Sequence, residues 1–335
     1  FSCQSIDGDL DALGIRWRYV PRKLLTTTSR ECLRNQCPYF PHECLIHGAR
    51  RRAAESDVVV TNHSLLLRNV SVDGRILPPI RHWVIDEAHG FEAEARRQWA
   101  IELQGDKIGA GFEFLGTQKS GTLSSIIAAS AKLEGASLLE RMLVKAAYAT
   151  ARAMVASSGF FSCVHALLPL AKSDGGYSNV SLWIDGEIRE TEEWKEVADA
   201  GAHCIETLEP AIKAFDEAEA ALSPVDAKLA ANLKESTSFL SEFFFGLQLI
   251  CAGKDTSYVY SAQLSRSKSN RGQEMLCAEK LDIGEELAQR WLPEMHSVVF
   301  TSATMAVSHN FDHFDAAIGL SKGDFSHQSR ELDSS

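Results

Sequence analysis

Two adjacent carboxylates at the end of a short apolar run are the residues of this 335-residue chain best suited to catalysis. The run His82–Asp86 is typical of a buried β-strand, and Asp86-Glu87-Ala88-His89 completes it. A carboxylate at a strand end can hold Mg²⁺, while its neighbour can orient and deprotonate a water that attacks a γ-phosphate. The tetrapeptide therefore predicts Asp86 as Mg²⁺ ligand, Glu87 as general base and His89 as a group near the γ-phosphate. A chance acidic turn is the alternative.

A second polar strand end lies more than two hundred residues further along the chain. The apolar run Ser297–Thr301 leads into Ser302-Ala303-Thr304. Because the carboxyl ends of parallel strands meet at one edge of a sheet, Ser302 and Thr304 are predicted to hydrogen-bond the Asp86–His89 loop. The alternative is that they cap a helix, as serine and threonine at strand ends often do.

Half of the eight cysteines lie in the first 44 residues, namely Cys3, Cys32, Cys37 and Cys44. Without a secretion signal, a reducing cytosol favours metal or cluster ligation over disulfides, with unligated core thiols as the remaining alternative. One distant and three clustered thiolates suit an iron-sulfur cluster. Three of these thiols with His42 or His47 would equally make a tetrahedral zinc site. The spacing alone leaves both metals open.

The stretch Arg16–Arg52 is basic in a chain whose formal net charge is −11. It carries eight Arg and one Lys, ending in Arg50-Arg51-Arg52, and four aromatic residues are interleaved with them. Cations and ring faces together are what single-stranded nucleic acid uses for phosphate attraction and base stacking. The stretch therefore predicts a nucleic-acid-binding surface, with a solvated basic face as the alternative, whereas the global charge argues against indiscriminate binding.

The remaining pattern predicts an α/β fold with a large helical insertion. Asp57–Thr61 reads as a third buried strand, which ends at Thr61, Asn62 and His63 and gives one open sheet with polar groups at its carboxyl ends. Helical spacing covers 123–156, 193–221 and 227–251, and the stretches 177–188 and 258–264 alternate as strands do. The tryptophans at positions 183, 194 and 291 are predicted to be core residues. Thr61, Asn62 and His63 either touch a nucleic-acid backbone or only cap the turn.

Length and composition exclude several classes of protein. With 45% hydrophobic residues the chain has ample material for cores, so a disordered tail or a disulfide-stapled mini-protein is ruled out. Contiguous apolar runs fall short of the roughly 18 residues of a membrane-spanning helix, and the start Phe1-Ser2-Cys3 lacks a basic signal region. We expect a soluble, cytoplasmic protein with no membrane partner that has been cut from something longer.

In order and spacing, these motifs resemble the XPD/DinG family of iron-sulfur superfamily 2 DNA helicases. The resemblance rests on the four N-terminal cysteines, Val-Val-Thr-Asn-His-Ser-Leu-Leu at 59–66, Val-Ile-Asp-Glu-Ala-His at 84–89 and Val-Phe-Thr-Ser-Ala-Thr-Met at 299–305. Phe311, Phe314 and Gly319-Leu320 are closest to the bacterial DinG branch. The insertion matches by position and size alone.

The resemblance implies a domain organisation. Residues 1–52 would form the iron-sulfur domain, 53–92 with 278–335 part of a RecA-like, parallel-sheet motor domain, and 93–277 an Arch-type insertion. The cluster would be [4Fe-4S] on Cys3, Cys32, Cys37 and Cys44, rather than zinc, and could be lost in an aerobic preparation.

The resemblance also implies an activity and its partners. ATP and Mg²⁺ would be the other cofactors, and Ser302, Ala303 and Thr304 would couple hydrolysis to DNA. The partner would be single-stranded DNA and forked or displaced-strand DNA, with 5′ to 3′ translocation by a protein of the bacterial cytoplasm that acts in repair or replication. We expect a monomer.

The chain departs from the family in one respect that bears on catalysis. It contains no phosphate-binding loop of the form G-x-x-x-x-G-K-[ST], and no second motor domain follows Ala303. We therefore expect a fragment that is inactive alone and belongs to an ATP-dependent helicase. The rival hypothesis is a non-enzymatic nucleic-acid-binding or redox-sensing module in which an iron-sulfur or zinc site organises a basic surface.

Overall fold

The computed structural model describes residues 37–40, 42–133, 135–171, 179–266, 273–306 and 309–331. The chain divides into two compact units. We call Phe1–Trp99 with Asp282–Ser335 the split unit and Ala100–Leu281 the helical unit.

The secondary structure is mostly helical. The described helices are α1 Leu45–Glu55, α2 His63–Ser71, α3 Phe91–Gln98, α4 Gly105–Leu115, α5 Gly121–Ser130, α6 Ala136–Ala166, α7 Gly186–Arg189, α8 Glu192–Leu222, α9 Ala227–Ala252, α10 Gly284–Arg290 and α11 Asp312–Ala317. The described strands are β1 His82–Ile85, β2 Ile101–Gln104, β3 Asn179–Trp183, β4 Tyr258–Ser265, β5 Met275–Lys280 and β6 Ser297–Phe300. Short 3₁₀ turns occupy Ala88–Gly90, Leu168–Leu170, Leu292–Glu294 and Leu320–Lys322.

The sheet of the split unit is a parallel pair, β1 and β6. Along β1 the side chains alternate, with Trp83 and Ile85 buried and Val84 exposed, as the pleat of a half-covered strand requires. Register pairs Ile85 with Phe300, so both strands finish at the same edge. The predicted parallel strands at 82–86 and 297–301 are therefore confirmed, and with them the α/β class.

The predicted third strand at Asp57–Thr61 is wrong. The segment leads from α1 to α2 without pairing to either strand. It lies across a cavity of about 500 Å³ from β1, and Val58 and Val60 are 79% and 92% exposed. An apolar run becomes a strand only where a neighbour satisfies its backbone hydrogen bonds, and β1 offers this run none.

A small apolar core underlies the parallel pair. Phe91 at the start of α3 is fully buried, with ring centroids 5.4 Å from Trp291 and 6.0 Å from Phe300. Leu66 and Leu67 of α2 close the core from another side. Ile318 also joins it, and the chain turns away at Gly319, where φ is +84° and a Cβ would lie 2.0 Å from the carbonyl oxygen of Gly284. Glycine is therefore required at position 319.

The helical unit combines an antiparallel sheet with three long helices. The strand order is β2-β5-β4-β3, and α6 packs on α8, which in turn packs on α9. The predicted helices are confirmed, although the stretch 123–156 divides into α5 and the start of α6. Strands were predicted at 177–188 and 258–264, and the structure has β3 and β4 there. The predicted strand at 177–188 was too long at its end, because residues 186–188 belong to helix α7.

Local signals explain where the long helices begin and end. The Thr191 side chain accepts a hydrogen bond from the backbone N–H of Trp194 and caps α8, and Asp226 caps α9 in the same way. Gly253 ends α9 in the left-handed conformation at φ +55°. These residue types mark helix ends in the sequence itself, which is why the helix positions were predictable.

The tryptophans divide between core and surface. Trp194 and Trp291 are buried as predicted, at 3% exposure each, whereas Trp183 is 64% exposed and its prediction as a core residue is wrong. Trp183 lies on β3 at the edge of the sheet, where Val180 and Leu182 take the inward positions of the alternation. Its neighbours in sequence therefore occupy the core in its place.

One described helix is long and apolar enough to cross a membrane by length and composition. This segment, Ala136–Leu170, consists of α6 and the turn after it and contains an 18-residue window with a mean hydropathy of 1.5. The expectation from contiguous runs missed it, because polar residues interrupt it. Core helices of globular proteins pass the same test, and the inner face of α6 carries the fully buried Leu143, Phe160 and Val164. We assign α6 to the core of the helical unit.

Candidate active site

The paired carboxylates project from the carboxyl end of β1. Asp86 follows the last residue of the strand, and its Oδ1 accepts a hydrogen bond from the backbone N–H of Glu87 at 2.9 Å. Glu87 has φ 49° and ψ 42°, a left-handed conformation that is uncommon outside glycine. Both side chains are exposed. A strained residue between a strand and a tight turn is typical of functional sites.

The neighbouring strand end holds this loop in place. The backbone N–H of Thr301 donates to the carbonyl of Ile85 at 2.9 Å, and that of Ala88 donates to the carbonyl of Thr301 at 3.0 Å. Parallel pairing of β1 with β6 brings these groups together across more than two hundred residues. The Asp86–His89 loop is therefore fixed by main-chain bonds, which leave its carboxylates free to face solvent.

His89 connects the carboxylates to the second motif. Its Nδ1 lies 2.8 Å from Ser302 Oγ and 3.3 Å from Glu87 Oε2. The two motifs that the sequence analysis singled out thus meet through one imidazole. Ser302 Oγ also lies 3.5 Å from the backbone N–H of Thr304, whereas Ala303 and Thr304 project no described side-chain bond toward the loop.

The segment Thr61–His63 has internal partners. Asn62 Oδ1 accepts from the backbone N–H of Leu65 at 2.8 Å, which caps α2. His63 Nε2–H donates to the main-chain oxygen of Asp86 at 2.9 Å, and its ring packs edge-on against Phe91 at 5.4 Å. Thr61 Oγ1 is buried with no described partner. His63 therefore holds the Asp86 carbonyl from α2.

A second brace joins α2 to α3 and was not anticipated. Ser64 Oγ donates to Glu94 Oε1, and this bond, with smaller help from Gln98 and Arg97, holds the pKa of Glu94 below its ordinary value. The residues are thirty positions apart, and the sequence alone carries no signal that pairs them. Their contact follows from the packing of α2 against α3.

The basic and cysteine-bearing segment is described in part. Arg50, Arg51 and Arg52 are exposed on α1, so consecutive guanidinium groups fan around one end of that helix. Cys37 and Cys44 are free, half-buried thiols, and Cys44 is the N-cap residue of α1. Cys3 and Cys32 lie outside the described residues.

The described residues do not by themselves make a metal centre. Within the described ranges, no group of three or more His, Cys, Asp or Glu side chains is arranged to hold a metal ion. Cys37 and Cys44 offer two thiols, whose softness suits iron or zinc, whereas the exposed oxygens of Asp86 suit Mg²⁺. The donor types fit the predicted groups, and the rest of the cysteine set lies in the undescribed segment.

Comparison with known proteins gives this site a context. No protein-family model matches the chain. The chain is similar to a Bacillus subtilis (strain 168) protein named 3′-5′ exonuclease DinG, with 26% identity over 289 residues, 82% of this chain and 30% of that protein. It is 37% identical over 111 residues to the ATP-dependent helicase DinG of Mycobacterium tuberculosis, 31% of this chain and 16% of that protein. It is 29% identical over 113 residues to the ATP-dependent DNA helicase YoaA of Escherichia coli (strain K12), 32% of this chain and 18% of that protein.

The similarity extends over 82% of this chain for the Bacillus subtilis protein and over about a third of it for the other two. The chain spans less than a third of the length of these curated relatives. The homologues of this chain are DinG and YoaA proteins, named for the most part as ATP-dependent helicases, and they support the DinG branch of the family that its motifs resemble.

Proposed function

We propose that this chain is part of an ATP-dependent DNA helicase of the DinG type. The observation that carries the proposal is the junction of two strand ends, where Glu87, next to the exposed Asp86, contacts His89, which in turn contacts Ser302. Paired carboxylates at a strand end can hold Mg²⁺ and activate water, which are two of the tasks in hydrolysis of a nucleoside triphosphate.

Each residue of the junction has a proposed role. Asp86 would hold Mg²⁺, which when bound neutralises charge on the β- and γ-phosphates. Glu87 would orient the attacking water and accept its proton, because its carboxylate stands at the turn beyond the strand. A general base of this kind contributes about 10²–10⁴-fold to a rate.

His89 and Ser302 would carry the state of the nucleotide to the rest of the protein. The imidazole is shared between the Glu87 carboxylate and the Ser302 hydroxyl, so a movement of Glu87 changes which group it pairs with. Ala303 and Thr304 continue this proposed coupling motif. His63 would act from the other side as a positioning residue, since it bonds the main chain of Asp86.

The proposed organisation follows the resemblance. Residues 1–52 would form the iron-sulfur domain, 53–92 and 278–335 part of a RecA-like motor domain, and 93–277 an Arch-type insertion. The boundaries of the two compact units in the chain fall between Trp99 and Ala100 and between Leu281 and Asp282. The proposed insertion at 93–277 therefore includes most of the helical unit. The [4Fe-4S] cluster would use Cys3, Cys32, Cys37 and Cys44, of which the two described thiols are free.

DNA binding is assigned first to Arg50, Arg51 and Arg52. These side chains are exposed and adjacent on α1, whereas Asn62 Oδ1 and His63 Nε2 already serve α2 and Asp86. Any DNA contact of Thr61, Asn62 and His63 would therefore use the remaining polar groups of that segment. The proposed partner is single-stranded, forked or displaced-strand DNA in a bacterial cytoplasm, with 5′ to 3′ movement by a monomer in repair or replication.

The rival function is a binding or redox-sensing module without hydrolysis. Such a module would need no main-chain cradle and lysine for the β- and γ-phosphates, which a helicase requires. The two functions are separated by the full gene: a G-x-x-x-x-G-K-[ST] sequence ahead of this region supports the helicase, and its absence supports the module.

ATPase measurements on the full product of the gene test the proposal directly. With single-stranded DNA present, Glu87→Gln should retain ATP binding and lose about 10²-fold or more in kcat. Asp86→Asn should in addition weaken Mg²⁺-dependent nucleotide binding. Glu294→Gln is the matched control, because it makes the same change on an exposed side chain at the opposite end of β6. Wild-type turnover of Glu87→Gln would refute the assigned base, and strong ATPase activity from this chain alone would refute its expected inactivity.

A further inference from the structure

One face of α6 carries a row of cations around an exposed aromatic ring. Arg141, Lys145, Tyr148 and Arg152 are spaced four, three and four residues apart, which places them on the same side of a helix. All four side chains are exposed, and Tyr148 is 68% exposed. We call these four residues the α6 stripe.

The cations of the stripe are available to a ligand. Lys145 Nζ lies 3.5 Å from Glu217 Oε2 in a pair whose side chains are 70% and 42% exposed, and such surface pairs are easily exchanged. Arg141 uses its Nε–H on the carbonyl of Ser137, so its terminal nitrogens remain for other partners. A polyanion can therefore engage the whole stripe without breaking the fold.

An open apolar trough begins beside the aromatic ring. Its volume is about 740 Å³, and Tyr148, Val155 and Phe160 of α6 line one wall while Ala200 and Thr207 of α8 line the other. Val155 is 69% exposed. A flat apolar ring or base could lie against these walls, and Arg152, which also lines the trough, could contact a phosphate at its edge.

The two helices that form the trough have opposite charge. The sequence of α6 holds three Arg or Lys against one acidic residue, a net charge of +2, whereas α8 holds nine acidic residues against two lysines, a net charge of −7. A phosphate chain is thus attracted to the α6 side and repelled from the α8 side. Its bases would then point from the stripe toward the trough.

We infer that the α6 stripe is a binding surface for single-stranded DNA, with phosphates on Arg141, Lys145 and Arg152 and a base stacked on Tyr148. The inference rests on the proposed function, because it gives the DNA of that function a second surface within the helical unit. Cations interleaved with an aromatic ring are the combination that single strands use. An acidic peptide helix is the other occupant that this chemistry allows.

Binding of an oligothymidylate to the 335-residue chain, followed by fluorescence anisotropy at several salt concentrations, tests the surface. The triple variant Arg141→Ala, Lys145→Ala, Arg152→Ala should weaken binding at least about tenfold and flatten the salt slope by up to about 2 units, roughly 0.7 for each phosphate that is no longer neutralised. The control triple Lys213→Ala, Lys228→Ala, Lys234→Ala removes the same charge from exposed sites on α8 and α9 and should change little. Equal slopes in both triples would overturn the inference.

The aromatic ring distinguishes DNA from other polyanions. Tyr148→Ala should weaken oligothymidylate binding about tenfold, and Tyr148→Phe should retain it, because stacking needs the ring and not the hydroxyl. Poly-L-glutamate, which has charge but no bases, should bind less tightly and should not respond to Tyr148→Ala. If poly-L-glutamate binds as well as DNA, or if Tyr148→Ala has no effect on DNA, the stripe is not a DNA surface.

A third triple variant separates this inference from the proposed function. Arg50→Ala, Arg51→Ala, Arg52→Ala removes the cations assigned to DNA in the split unit. If this triple flattens the salt slope while the α6 triple behaves as the control, the inference fails and the proposed function stands. If the chain shows no salt-dependent DNA binding at all, both fail. Unchanged helical circular dichroism confirms that each variant is folded.

Discussion

The two units bury their sheets to very different extents. In the helical unit, Ala262, Leu276 and Ala278 of β4 and β5 are fully buried under helices. In the split unit, Val84 and Val299 stand opposite each other on the parallel pair and are 70% and 54% exposed. The central strands of the helical unit thus lie under a large core, although its edge strand β3 exposes Trp183, whereas both strands of the split unit are covered on one face only.

The reactive side chains are distributed in the opposite way: the paired carboxylates of the split unit face solvent, whereas buried thiols of the helical unit are desolvated. The exposed carboxylates of Asp86 and Glu87 belong to the split unit, while the thiols of Cys204 and Cys251 in the helical unit are desolvated. Stability and chemistry are therefore separated along this chain. The well-packed unit keeps these thiols away from solvent, and the sparsely packed unit exposes carboxylates at a strand end.

The largest effect is expected for the cysteines of the split unit that are proposed to bind the iron-sulfur cluster. In an anaerobic preparation, Cys37→Ser should lose nearly all bound iron and the broad absorption near 400 nm of iron-thiolate centres, because a ligand is removed. Cys204→Ser is the control and should retain the iron, because Cys204 is a buried thiol of the helical unit. Iron and zinc analysis of both variants gives the answer, and stoichiometric zinc without iron in the wild type would contradict the cluster.

The reactivity of the buried thiols gives the next largest effect. Burial raises the pKa of Cys204 and of Cys251 to about 12, so each thiol keeps its proton until the pH approaches that value. Since the thiolate is the nucleophile, iodoacetamide should label both on the order of a thousandfold more slowly at pH 8 than an exposed cysteine peptide. Their rates should rise about tenfold per pH unit to beyond pH 10, whereas an exposed thiol levels off near pH 9. Mass spectrometry measures the rates, with the urea-unfolded chain as control, and labelling as fast as the peptide would show that the helical unit opens readily.

A core truncation compares the packing of the two units. Phe243 of α9 is fully buried, and its ring stacks on Phe161 with centroids 6.1 Å apart. Phe243→Ala should lower the free energy of unfolding of the helical unit by about 3–5 kcal/mol, whereas Val84→Ala on the exposed face of β1 should change that of the split unit by less than about 1 kcal/mol. Urea unfolding read by pulsed deuterium exchange resolves the units peptide by peptide. A larger effect at Val84 than at Phe243 would reverse the contrast between the two units.

The sequence predicted those features that depend on local patterns. Apolar runs ending in polar residues located β1 and β6, and helical spacing over 193–221 and 227–251 located α8 and α9. It failed where pairing decides the outcome. Val58 and Val60 have strand-like residue types but no partner strand, and Trp183 faces outward because its neighbours take the inward positions of an edge strand.

The residues of the candidate site could be named from the sequence, but the side-chain contacts that hold them could not. Adjacent carboxylates suggest their chemistry through the motif itself, so Asp86 and Glu87 could be proposed from the sequence alone. The bond from His63 to the Asp86 carbonyl and that from Ser64 to Glu94 join α2 to segments more than twenty residues away. Such contacts depend on how two helices pack, which no local spacing encodes.

The smallest predicted effect concerns the bond from Ser64 to Glu94 in the sparsely packed unit. Ser64→Ala should lower the unfolding free energy of the split unit by about 1 kcal/mol at pH 7, the usual worth of a partly exposed hydrogen bond to a charged group. Because the pKa of Glu94 is lowered in the folded chain, the stabilisation is present above the unfolded value of about 4.3 and is lost as the pH falls through the lowered pKa.

Wild type and Ser64→Ala should therefore converge in stability as the pH falls below about 4. Ser71→Ala is the matched control on the same helix, since Ser71 Oγ donates to the carbonyl of Arg68, which does not titrate. Its effect should be independent of pH. The unfolding free energy of both variants is measured by urea unfolding at each pH. The unfolded fraction is read from deuterium uptake in the peptides of α2 and α3 during a pulse at one fixed pH. A Ser64→Ala difference that stays constant into acid would mean that the hydroxyl stabilises packing of α2 against α3 without using the charge of Glu94. The brace behind the carboxylate loop would then be steric, and the split unit would depend on packing as the helical unit does.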